Sequence, residues 1–127
     1  MFDNERKLTI LKNIENAIKL IESQSAQIKS PDDFLLSQEG MFMLGGICMQ
    51  LIFIGENVKT LDNKTEHEYL KLYPEIPWHD IMGLRDIIVH EYHRVDEEEI
   101  YSVIKKDIPS LSLTISRMIS ELNNDNS

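Results

Sequence analysis

The chain has 127 residues, enough for one domain with a single helical core and too few for a second. Its formal net charge of −9 and pI near 4.8 exclude a broad basic nucleic-acid binder and argue against a role on anionic membrane surfaces, so an enzyme acting on nucleic acid would need a local positive site. The one cysteine, Cys48, excludes an intrachain disulfide, and its place inside the apolar run MFMLGGICMQLIFI makes it a core residue.

The N-terminal MFDNERKLTI lacks the apolar core of a signal peptide. Leu11, Ile14, Ile18, Ile21 and Ile28 recur at helical spacing and predict a first helix, with Asp3 as its N-cap and Ser30-Pro31 as its stop. Leu44, Ile47, Leu51, Ile54, Val58 and Leu61 predict a second, long helix from near Ser37 to near Asp62. Within it the apolar run from Met41 to Ile54 is too short to span a bilayer and contains Gln50, so no membrane role and a cytoplasmic location are expected. Gly45 and Gly46 each cost ~1 kcal/mol against alanine inside a helix, which suggests close approach of another helix.

Thr65-x-x-Glu68 reads as a capping box for a short helix ahead of Pro74 and Pro77, and Pro77 or Trp78 then opens a third helix. Asp96-x-x-Glu99 is a second capping box, its acids complementing the helix dipole. Ile100, Ile104, Ile108, Leu111, Ile115, Met118 and Leu122 carry a helical stripe to the C-terminus, which Pro109 should kink or split. Residues 123–127 are expected to form a disordered polar tail. No stretch alternates with period two and there is no Gly-rich phosphate loop. The pattern as a whole predicts an all-α, up-and-down bundle of four to five helices in one domain, residues 1–127.

Chemistry concentrates between Pro74 and Asp96, where Arg85, Asp86, His90 and Tyr92 follow one another as R-D-x-x-x-H-x-Y. A cation for phosphate, an imidazole that titrates near neutrality and a phenol suffice for phosphodiester chemistry without a metal. On a helix, Arg85 and Tyr92 fall within ~20° of each other, on a stripe with Trp78, Met82 and Val89, while Ile81, Leu84 and Ile88 form the seam toward the core. Asp86 stands four residues before His90, a spacing that lets its carboxylate fix which ring nitrogen faces outward. Arg85 and His90 lie ~140° apart on the wheel, suited to flanking a groove whose second wall is another helix of this chain or the same helix of a second chain. A metal site built on Asp86, His90 and His93 is the rival from these residues. No E-x-x-H pair of the di-iron type accompanies it, and Arg85 would repel the cation, so neither metal nor cofactor is expected.

The string formed by Pro77, Trp78, Ile81, Gly83, Arg85, Asp86, His90, Tyr92, Val95 and Asp96 resembles the HepT branch of the HEPN superfamily, whose members carry R-X4-H-X-Y, and Ile54 to Val58 (I-G-E-N-V) is similar to that family's second helix. The resemblance implies a HEPN-like bundle and a homodimeric, metal-independent RNA endonuclease that acts as the toxin of a toxin–antitoxin pair. It also implies a partner, a minimal nucleotidyltransferase of the MntA type, that attaches AMP to the motif tyrosine, here Tyr92. In such a ribonuclease His90 would serve as general base on the ribose 2′-OH or general acid on the leaving oxygen. Arg85 would neutralise phosphate charge, Asp86 would orient His90, and the products would be a 2′,3′-cyclic phosphate and a 5′-hydroxyl. The alternative is a non-catalytic helical subunit that binds substrate for a nucleotidyltransferase; it suits an acidic chain but needs neither Arg85 nor His90.

Overall fold

Apolar residues at helical spacing fold into α1 (Asn4–Gln24), α2 (Gln38–Lys64), α3 (Trp78–Glu91), α4 (Glu97–Ser102) and α5 (Ile108–Asp125) in a computed structural model that describes residues 2–91 and 96–125. No strand occurs among the described residues. The protein is an all-α bundle, with α2 packed on α1 and α3, and α1 on α5. The stripes foreseen from spacing are its core: Leu11, Ile14, Ile18 and Ile21 of α1 meet Ile47, Leu51, Ile54, Val58 and Leu61 of α2, and Ile108, Leu111, Ile115, Met118 and Leu122 of α5 close the bundle.

Helix starts follow their caps. Asp3 accepts the Arg6 amide at 2.9 Å and Ser37 accepts the Gly40 amide at 2.9 Å, each satisfying an amide that the first turn leaves open. Helix α1 stops at Gln24, short of the expected Ser30-Pro31, where the Ser25 amide closes onto the Ile21 carbonyl at 2.9 Å. Ile28 reaches the core from the connection that follows. By length and composition the whole of α2, longer than its apolar run, would be able to cross a membrane; here its buried stripe is the centre of the bundle.

The expected capping box at Thr65 is not formed. Thr65 ends α2, its hydroxyl donating to the Leu61 carbonyl at 2.8 Å. The Glu66 amide donates to Asn63 and the His67 amide to Asp62 at 2.8 Å, the paired bonds of a Schellman termination. Glu66 and His67 take φ of 57° and 64° there, a left-handed conformation that usually selects glycine. The short helix expected before Pro74 is a 3-10 turn, Leu70–Leu72, without a side-chain cap.

Asp96 caps α4 by accepting the Glu98 amide at 2.8 Å. Between α4 and α5 the chain runs through a π segment, Val103–Asp107. The break foreseen at Pro109 therefore falls in the turn before it, because a proline offers no amide and its ring crowds the carbonyl four residues back. Residues 123–125, expected to be disordered, continue α5.

Candidate functional site

Helix α3 lies antiparallel to α2, since Gly55 sits against Ile81 and Arg85, while Met49 and Cys48 share a groove with Ile88 and Val89. Ile88 is the buried anchor of α3, flanked by half-buried Ile81 and Leu84, the seam expected from spacing. Trp78 is buried too, its indole N–H donating to the Tyr73 carbonyl at 2.9 Å, which ties the start of α3 to the preceding turn. Close approach of the two helices occurs at Gly55 and not at Gly46. A Cβ at Gly55 would lie 2.9 Å from the Arg85 Cβ and 3.2 Å from the Ile81 carbonyl oxygen, whereas one at Gly46 would meet nothing within 4 Å.

That approach presses the stem of Arg85 onto α2 and brings its head to the next residue of that helix. Arg85 Nε donates to the Glu56 carboxylate, and a terminal nitrogen donates to Asp86 Oδ1 at 2.9 Å. The guanidinium is therefore forked between two carboxylates, held strongly cationic by both, and remains partly open to solvent, its side chain 32% exposed. Asp86 in turn is held below the usual carboxylate range, first by the hydrogen bond from Arg85. The charges of Arg85, Glu56 and Asp86 sum to −1, so the bare cluster does not attract a phosphate by charge alone.

His90 is exposed one turn beyond Asp86. The Asp86 carboxylate hydrogen-bonds to Arg85 and not to the imidazole. Spacing alone pairs Asp86 with His90; the observed pairing differs because Arg85 is the adjacent residue, and Glu56 already fixes its head within reach. Tyr92, and with it His93, lies outside the described residues. Among the described residues no group of three His, Cys, Asp or Glu side chains stands close enough to hold a metal ion.

Glu56 is the site residue that spacing did not single out. The signal was present: a glycine inside an apolar helix marks close approach, and the acid that follows it is placed to meet a cation on the neighbouring helix. Beyond the charged cluster the outer face of α2 is apolar and uncovered, with Met41, Phe42, Met49 and Phe53 exposed and the first three sharing a groove with Val89 of α3. A shallow groove of about 810 Å³ runs between Phe42, Met49 and Val89.

A family model described as "Ribonuclease HepT-like" matches residues 14–118. A protein of Thermococcus cleftensis named probable ribonuclease HepT is 36% identical over 101 residues, 80% of this chain and 84% of that protein. A protein of Methanocaldococcus jannaschii named for gamma-glutamylcyclotransferase and RNase activities is 34% identical over 112 residues, 88% of this chain but only 47% of its own length. No solved structure matches the chain.

Proposed function

The chain belongs to the HepT-like ribonuclease family, and from that premise we propose that it is a metal-independent RNA endonuclease in which Arg85 and His90 perform the chemistry. The observation that carries the reading is the clasp on Arg85. Glu56 holds Nε from a neighbouring helix, so the guanidinium keeps its orientation while the exposed Asp86 can give up its terminal nitrogen to an incoming phosphate oxygen. His90, exposed on the adjoining flank, takes the proton of the ribose 2′-OH or returns one to the leaving 5′-oxygen. The 2′-oxygen attacks the neighbouring phosphorus, the 5′-oxygen leaves, and the products are a 2′,3′-cyclic phosphate and a 5′-hydroxyl.

The uncovered apolar face of α2 and α3 supports a homodimer. Met41, Phe42 and Met49 are each more than half exposed in a single chain, an arrangement typical of a surface covered by a partner. A second copy on this face would supply the missing wall of the groove and bring two Arg85 and His90 pairs to one RNA strand. In a toxin–antitoxin pair, a minimal nucleotidyltransferase would silence the enzyme by attaching AMP to Tyr92, two residues past His90, adding negative charge and bulk where the RNA phosphate must sit. That setting is the cytoplasm.

The test is cleavage of a labelled RNA in excess chelator, with analysis of the product ends. The expected result is cleavage with cyclic-phosphate ends, lost by ~10²-fold or more in His90→Ala and strongly reduced in Arg85→Lys, since a point charge cannot replace a planar fork. Activity restored only by one metal, or unchanged in both folded variants, would overturn the assignment.

A further inference from the structure

We propose that a second groove, formed where the start of α1 meets the end of α2, is a docking site for a segment of single-stranded RNA. The inference rests on the ribonuclease reading and adds a binding site to it. The groove, of about 730 Å³, draws Arg6 and Lys7 from the first turns of α1 and Lys64 from the last turn of α2. Lys64 stands far from Arg6 and Lys7 in sequence, and none of the three forms an ion pair with another described residue.

In a chain of net charge −9 such a cluster needs a reason. The site cluster carries −1 once Glu56 and Asp86 are counted against Arg85, so the attraction that brings a polyanion to the protein has to come from elsewhere on its surface. The groove also offers apolar contact. Phe2 and the exposed Leu72 line it, and Lys7 is held over the Tyr69 ring at 4.8 Å, so its ammonium stays in the groove. Cations for phosphates beside apolar surface for an unstacked base are the two parts of a single-strand binding groove.

Of the groove's carboxylates, Glu68 is drawn off by Lys71 at 3.4 Å. Glu66 is free of any ion pair among the described residues and is set on the strained turn with φ of 57°. A carboxylate there accepts hydrogen bonds from the exocyclic amine of a base, which gives the groove a preference among bases as well as an attraction for the strand.

The experiment uses the full chain carrying His90→Ala, so that RNA stays intact, and measures anisotropy with labelled RNAs of about twenty and about four nucleotides. Arg6→Glu with Lys64→Glu is compared with Lys12→Glu and Lys106→Glu, which impose the same change in charge outside the groove. Position 6 accepts the swap, because a glutamate three residues after the Asp3 cap favours the helix start. The expected result is that the groove variant binds the longer RNA about tenfold more weakly, with a salt dependence reduced by about 1.4 in log–log slope for two lost phosphate contacts, and that the control does not.

Unchanged binding in the groove variant, equal weakening in both variants, or preference for a polyglutamate peptide over RNA overturns the proposal. The wild-type chain separates the two readings. If it cleaves RNA and the groove variant matches the His90→Ala parent in binding, only the groove falls; if it fails to cleave while the groove variant still loses binding, the groove stands and the ribonuclease reading falls.

Discussion

Asp86 shows how a single side chain divides two accounts of the same site. Read from spacing, it orients His90; in the fold it is hydrogen-bonded to Arg85 at 2.9 Å, with Glu56 on the other edge of the guanidinium. In the proposed mechanism, a carboxylate on the nitrogen offered to phosphate competes with substrate. Asp86→Asn should therefore lower KM and leave kcat within about threefold, whereas loss of a group that orients His90 would lower kcat with KM unchanged. Steady-state kinetics on one RNA substrate decides between them. Gly55→Ala puts a methyl group 2.9 Å from the Arg85 Cβ and 3.2 Å from backbone oxygen, neither of which can swing away cheaply. The helices must part, at a cost of about 1–3 kcal/mol in stability and with displacement of Arg85 from Glu56. Denaturant unfolding and cleavage rate should fall together; a variant as stable and active as wild type would show that the contact is not needed.

At the scale of elements, buried periodicity was the legible part of the sequence. Every apolar residue assigned to the α1 stripe and to the α4–α5 stripe is buried, and so are Ile47, Leu51, Ile54, Val58 and Leu61 of α2, because a 3.6-residue repeat can bury its apolar side only as a helix. Helix ends were less legible. Thr65-x-x-Glu68 has the letters of a capping box, yet the same threonine returns its hydroxyl to the Leu61 carbonyl at 2.8 Å and ends a helix instead of starting one. A local motif does not say on which side of it the helix lies. The outcome leaves Glu66 at φ 57°, where an L side chain costs roughly 1–2 kcal/mol. Glu66→Gly should relieve part of that strain and stabilise the protein by about 0.5–1 kcal/mol after the entropy glycine adds to the unfolded chain. Thermal unfolding should show a rise of a few degrees, and a fall would mean that contacts of the Glu66 side chain outweigh the backbone strain. Cys48, buried on α2, carries a thiol pushed up to about 11 by its burial. Its folded value lies above that of the unfolded chain, so its contribution to stability is complete below the unfolded value and is lost as pH rises toward 11. The native protein should resist thiol reagents at pH 8 and react once unfolded.

For the molecule as a whole, charge and exposed apolar surface pull in different directions. A net charge of −9 keeps copies apart at low salt, while Met41, Phe42, Met49 and Phe53 leave an apolar face uncovered in the single chain. Gly46 fits the same picture. A glycine inside an apolar helix suggests close helix approach, yet within one chain nothing comes within 4 Å of the place a Cβ on Gly46 would occupy. Composition could reveal that a small residue made room, but not that the room lies on the outside, because a sequence pattern does not distinguish a surface buried by folding from one buried by association. If a second copy covers this face, Phe42, 86% exposed in the single chain, becomes a central contact, and Phe42→Asp would place a charge in a desolvated interface without disturbing the bundle core. The expected outcome is a folded monomer by light scattering at micromolar concentration where wild type is a dimer, with cleavage lost although Arg85, Glu56 and His90 are intact. A Phe42→Asp protein that stays dimeric would place the interface elsewhere; a monomer that cleaves RNA at the wild-type rate would show that one chain alone builds both walls of the groove.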